Sequence, residues 1–268
     1  MPKILRTEAI SLHSVAYAES SKIVTFFTRD FGKLNFLAKG ARRPNSKFGA
    51  ALETFTHAKL IIYKPETPKL YILSDAEIIH PFSELQSSTE RYWTGAQIIE
   101  FVLAAVDFDE PNARLFNLIL SALMVLSDQT LAKMNFDNLV LAFFLKAASF
   151  LGYRPELANC VTCRKPLPKL HRENKEKLLR TKFVFDIAKG GILCASCRTK
   201  STAGSLLIYN QLAYLQALLY LPLKRSLNLN PQPELRNLII QYLKHHFEKI
   251  NRSAFSINQT VSVPKASN

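Results

Sequence analysis

Four cysteines occur in this chain, and all fall into two Cys-x-x-Cys pairs, Cys160/Cys163 and Cys194/Cys197. A two-residue gap lets both thiolates of a pair point at one ion, and two such pairs complete the tetrahedral shell that Zn2+ prefers. A shell of four thiolates is closed and leaves no position for water or substrate, so the site is expected to be structural. Redox dithiols are the competing reading, but that chemistry sits at a helix start after a strand. The first pair is instead flanked by Pro155 and Pro166, which suits a turn. Disulfides would suit a secreted chain, and the opening Met1-Pro2-Lys3-Ile4 lacks the charged start and apolar stretch of an export signal. Reduced thiols and a cytoplasmic location are therefore expected. The 30 residues between Cys163 and Cys194 are long for a knuckle spacing.

Charge narrows the class of partner. The chain carries a formal net charge of +14, which calls for an anionic partner such as nucleic acid or a membrane surface. Its distribution is uneven. Residues 1–80 hold 12 Lys and Arg against 7 Asp and Glu, and residues 81–150 reverse this with 4 against 8. Residues 151–205 hold 12 against 4, and residues 206–268 hold 7 against 2. A membrane-binding chain would gather its cations on one amphipathic helix, and no apolar run is long enough to span a bilayer.

Alternation and turn signals predict five strands in residues 1–80: around Ile10 to Ser14, Lys22 to Thr28, Lys33 to Ala38, Phe55 to Tyr63 and Lys69 to Ile79. Five short strands with no room for long helices fit a closed barrel of the OB type, with an SH3-like barrel as the alternative. After His80-Pro81 the period becomes helical. Ser87 and Glu90 suggest a capping box before a helix from Tyr92 to Val106, and Pro111 opens a second helix to Leu126. Further helices are expected at Phe136–Phe150, Tyr209–Leu221 and Pro233–Ile250. The expected fold class is α+β: an OB-type barrel (1–80), a helical domain (81–158, continued at 206–250), a zinc-knuckle insertion (159–205) and a flexible tail (251–268).

Between Gly32 and Gly49 lie Lys33, Lys39, Arg42, Arg43 and Lys47, with no acid from residue 31 to 52. A cationic loop beside a barrel face can hold phosphates, and Phe36 and Phe48 could stack bases. The plainer reading is a solvated loop with buried phenylalanines. A second basic run, Lys165, Lys169, Arg172, Lys175, Lys177, Arg180 and Lys182, lies between the cysteine pairs and competes as a nucleic-acid site. No Gly-x-x-x-x-Gly-Lys phosphate loop exists, so ATP-driven action is not expected. Asp107, Asp109 and Glu110 could bind Mg2+ in a nuclease, but just before Pro111 they more simply favour the positive end of the next helix. His245 and His246 read as solvated, and His57 has no partner visible in the sequence.

These residues also carry a resemblance. The stretches Glu19 to Thr28, Gly32-Lys33-Leu34, Ala38 to Pro44 and Phe48 to Glu53 closely resemble the bacterial RecO family of DNA repair proteins. So do Leu151-Gly152-Tyr153-Arg154-Pro155-Glu156-Leu157 and Gly190-Gly191-Ile192-Leu193-Cys194. The resemblance implies an OB fold, a helical domain and an embedded zinc knuckle. It implies no enzymatic activity but binding of single- and double-stranded DNA and annealing of complementary strands. It further implies action with RecR, and with RecF in some species, to load RecA onto strands coated by single-strand-binding protein (SSB), in the bacterial cytoplasm at the nucleoid. The SSB C-terminal tail is acidic with an apolar end, and Lys224, Arg225, Arg236, Lys244 and Lys249 among leucine-rich helices are candidate contacts. A zinc-ribbon RNA-binding or transcriptional regulator is the alternative reading.

Overall fold

Strand alternation in the first 80 residues closes on itself. The computed structural model describes residues 3–64, 70–131, 136–168, 181–200 and 204–252. Strands β1 (Lys3–Tyr17), β2 (Ser21–Thr28), β3 (Gly32–Ala38), β4 (His57–Lys64) and β5 (Tyr71–His80) form a closed barrel in the order β1-β2-β3-β5-β4. All pairs are antiparallel except β3 with β5, where Phe36 faces Tyr71. β1 can pair with both β2 and β4 because a register shift between Ser11 and His13 bends it around the corner. This is the OB-type barrel expected, and closure leaves it without open edges.

Alternation decides the core. Val24, Phe26, Leu34, Phe36, Ala38, Leu60 and Ile62 point inward and are buried, with Phe26 and Phe36 meeting edge to face at 5.6 Å. A 3-10 turn at Gly49–Leu52 adds Ala51 and Leu52, and Phe48 just before it is 3% exposed. Ser11 Oγ fixes this plug by donating to Leu52 O at 3.1 Å.

Some outward positions are apolar too, and helices cover them. α1 (Thr89–Ala105) and α2 (Ala113–Ser127) follow the barrel. Phe55 meets Tyr92 at 5.5 Å, His57 meets Phe116 at 5.8 Å, and Gly95 leaves space that Phe55 and Leu85 fill. The expected caps shift by one residue. Ser88, not Ser87, caps α1 by accepting from Arg91 N, while Asn112 caps α2 by accepting from Leu115 N at 3.0 Å. The residue three on from the cap is thus Arg91, whose guanidinium donates to Leu126 O and Asp128 O at the end of α2. Burial holds His57 below its ordinary pKa despite Glu8 at 3.3 Å, which raises it.

The chain divides into two compact units, residues 1–132 and 133–268. The sequence boundary at residue 80 marks a change of period; the packing boundary comes later because α1 and α2 are the barrel's own cover.

In the second unit, α3 (Phe136–Phe150) is buried on nearly every side. Its polar residues are satisfied: Asn138 donates to Leu229 O at 2.8 Å and accepts from Tyr214 OH at 2.6 Å, and Lys146 donates to Leu219 O at 2.6 Å. Around it stand α4 (Tyr209–Tyr220), the short α5 (Leu223–Ser226) and α6 (Glu234–His246), and α7 (Glu248–Arg252) packs on α6. The single helix expected from Pro233 to Ile250 breaks at Phe247, whose backbone turns to φ −121° and whose ring packs on Tyr153 at 4.9 Å. A small sheet in the order β7-β6-β8, from β6 (Lys182–Asp186), β7 (Gly191–Leu193) and β8 (Ser205–Ile208), was not expected from the sequence. The tail from 253 to 268 lies outside the described residues. Among the described residues no helix is long and apolar enough to cross a membrane.

Candidate metal centre and nucleic-acid interface

Two turns bring the cysteines together. The first follows an extended segment at Glu156, which lies against Gly191 of β7: Glu156 N–H donates to Gly190 O at 2.9 Å and Ile192 N–H returns to Glu156 O at 3.0 Å. The Glu156 carboxylate then accepts from Ala158 N and Asn159 N at 2.8 and 2.9 Å, turning the chain into Cys160. The second turn leaves β7 directly, with Cys197 N–H and Arg198 N–H both donating to Cys194 O at 3.0 Å. Gly191 makes this docking possible, since a Cβ there would sit 2.5 Å from Glu156 O. Beyond their place in the family-like stretches, Glu156 and Gly191 carry no signal that singles them out in the sequence.

All four sulfurs lie within 4.8 Å of one another, and Cys163 Sγ and Cys194 Sγ are 3.7 Å apart. A disulfide would need about 2.05 Å. A tetrahedral zinc with Zn–S bonds of about 2.3 Å puts its sulfurs about 3.8 Å apart. The donor set therefore fits zinc. Cys160 is buried and accepts from Cys194 N–H at 3.4 Å, while Cys163 is exposed. Left to themselves the thiols share charge unevenly. Burial opposes ionisation of Cys160, yet the backbone N–H groups of Cys163, Cys194 and Thr162 draw it down to about 6. Cys197 is pushed up to about 12, by its hydrogen bond with Cys163 before all else. A central divalent cation would offset the repulsion among four thiolates. Among the described residues these cysteines are the one group of three or more potential ligands close enough to hold a metal.

The five cations of the basic run do not share one environment. Lys39, Arg42, Arg43 and Lys47 are exposed. Lys33 is not: it is 4% exposed, donates to Leu103 O at 2.7 Å and lies 4.6 Å over the Phe108 ring. It is a latch between β3 and the last turn of α1, where a cation suits the helix dipole. Nor can Phe36 or Phe48 stack bases, because both are in the barrel core. Arg42 is tied to the β1–β2 turn, its N–H donating to Ser20 O at 2.9 Å and its Nη1 to Ala18 O at 3.0 Å.

Other sequence candidates take structural roles. Phe108 bridges Lys33, and Asp109 N–H donates to Lys33 O at 3.1 Å, so the acidic stretch is a strap along β3. His246 stacks on Tyr153 at 5.0 Å instead of standing in solvent. Arg236 is 6% exposed and paired with Asp137 at 3.0 Å, which removes it from any surface rim, whereas Lys224, Arg225 and Lys249 are exposed. In the basic run between the cysteine pairs, Lys165 and Lys182 are exposed, and Lys169, Arg172, Lys175, Lys177 and Arg180 lie outside the described residues.

Two family models match this chain: Recombination protein O N terminal over residues 1–82 and Recombination protein O C terminal over residues 86–254. Similar proteins bear the name DNA repair protein RecO. The one from Chlorobium phaeobacteroides is 33% identical over 258 residues, covering 92% of this chain and 96% of its own length. That from Pelodictyon phaeoclathratiforme is 30% identical, covering 91% and 93%. That from Syntrophus aciditrophicus is 31% identical over 202 residues, covering 75% and 73%.

Proposed function

Because the chain belongs to the recombination protein O family, and so serves DNA repair and recombination, we propose that it is a non-enzymatic mediator that binds single- and double-stranded DNA and anneals complementary strands. In this reading it acts at the nucleoid in the cytoplasm, with RecR and where needed RecF, to help load RecA onto SSB-coated DNA.

The observation that carries the proposal is the exposed loop bearing Lys39, Arg42, Arg43 and Lys47 on a closed barrel, with no acid from residue 31 to 52. Such a loop neutralises phosphates by releasing condensed counterions and reads no sequence. Annealing asks little more: two backbones must be screened while bases find their complements. Cys160, Cys163, Cys194 and Cys197 would hold a structural Zn2+, which supplies cross-linking of the two turns and no reaction chemistry. The SSB tail would meet the exposed Lys224, Arg225 and Lys249 of the second unit.

The test is annealing of complementary oligonucleotides, each already coated with SSB, without ATP. The full chain should accelerate duplex formation at least tenfold, and RNA should compete for it more weakly than poly-dT. No acceleration, or preferential capture by RNA, would favour an RNA-binding or regulatory protein. Appearance of cleavage products with Mg2+ would contradict the non-enzymatic reading.

A further inference from the structure

The barrel carries apolar residues on its outside as well as its inside. Val15 of β1, Ile23 of β2 and Leu37 of β3 stand side by side in register, and the row continues through Ile72 of β5 and Tyr63 of β4 to Ile4. Ile23, Leu37, Ile72 and Tyr63 each neighbour a core residue along the strand, and Val15 follows Ser14, which is in register with core Val24, so the row faces outward. Four residues further along β2 and β3, the outward Phe27 and Lys33 are buried, Lys33 against Leu103 O at the end of α1. The Val15 row is not sealed: Val15 is 44% exposed, Ile4 is 56%, and Tyr17, on the same side of β1 as Val15, is 50%.

Tyr17 is tied to the basic loop through the residue that follows it. It ends β1, and the very next residue, Ala18 (φ 51°), accepts from Arg42 Nη1. The Arg42 backbone bond to Ser20 O closes the clasp, so the end of β1 that bears Tyr17 and the basic loop meet at one end of the barrel. Lys39 opens the turn that follows β3, two residues after outward Leu37, and is exposed. The occupant that matches an apolar strip bordered by cations, in a loop free of acids, is a polyanion with apolar faces. Single-stranded DNA has that chemistry. A duplex does not, because its base faces are already stacked.

We propose that Tyr17 stacks on unpaired bases, with Val15, Ile23 and Leu37 as the apolar floor beneath the strand. Lys39, Arg43 and Lys47 hold its phosphates, and Arg42 is a positioning residue that locks the ring beside them. This assignment rests on the DNA-binding reading above and takes the place in the strand that Phe36 and Phe48 cannot fill.

The experiment compares full-length wild type with Tyr17→Ala and Tyr17→Trp, using fluorescently labelled poly-dT and a random duplex at matched salt. Tyr17→Ala should weaken poly-dT binding roughly 5- to 100-fold, leave duplex binding within about twofold, and leave the salt slope unchanged, since no phosphate contact is lost. Tyr17→Trp should restore affinity. Unchanged poly-dT binding, equal loss on both ligands, or failure of tryptophan to rescue would overturn the assignment. A loop variant with Lys39, Arg43 and Lys47 replaced by Ala keeps the two readings apart. It should lose both ligands if the loop is the DNA site, whatever Tyr17 does.

Discussion

Cys160→Ser should strip the protein of its metal and unfold the knuckle while leaving the barrel intact. Wild type is expected to carry about one Zn2+ per chain, and the variant less than about a tenth of that, read by thiol-reactive release. Cys160 is the buried member of the set, and its sulfur accepts the Cys194 N–H that ties one turn to the other. Metal binding and local folding are coupled, with apparent affinities of about 10 kcal/mol or more in small zinc modules. Losing one ligand should therefore expose the amides of the two turns, Glu156 to Arg164 and Gly191 to Arg198, to rapid hydrogen exchange. The barrel amides, in a separate compact unit, should keep their protection. A Cys160→Ser protein that retains stoichiometric zinc and protected knuckle amides would contradict the closed four-sulfur site.

Substitutions at the start of β3 should damage folding and spare DNA contact. Gly32 has φ 72°, and a Cβ there would sit 2.2 Å from Glu110 O, so Gly32→Ala must push the acidic strap off the strand. Lys33→Ala leaves Leu103 O without its donor and empties the space over Phe108. The lysine change should cost about 2 kcal/mol and the glycine change about 3 kcal/mol or more. At this chain size that is a fall in Tm of about 4–12 °C by thermal unfolding. The Lys33→Ala variant should nonetheless bind DNA with the wild-type salt slope. An unchanged Tm together with a flatter slope would return Lys33 to the phosphate-binding set.

These two residues also mark where the sequence stops being informative. The barrel was legible because inward residues such as Leu34, Phe36 and Ala38 alternate with outward ones, and the same alternation explains why Phe36 is core and not a base platform. The cysteine cluster was legible because spacing alone brings paired thiols together. Lys33 was not, since a cation inside a cationic run looks like its neighbours, and the carbonyl that holds it is 70 residues away. The boundary between the two units was hidden for a related reason: it depends on α1 and α2 packing on the barrel through Phe55 with Tyr92, His57 with Phe116 and Lys33 with Leu103 O, a tertiary fact without a local signal. The break at Phe247 follows from its ring seeking Tyr153, almost a hundred residues earlier in the chain.

The central claim is that DNA is held by phosphate contacts from the loop after β3. The most direct test is the slope of log affinity against log salt for poly-dT, in wild type and in a variant with Lys39, Arg43 and Lys47 changed to Ala. Each phosphate neutralised on a single strand contributes about −0.7 to that slope, so three lost contacts should flatten it by about two units. Binding should weaken similarly on every sequence, because such contacts carry no base information. A loop variant with the wild-type slope and affinity, alongside loss of binding when Lys165 and Lys182 and the basic run between them are neutralised, would move the DNA site to the knuckle and contradict the account.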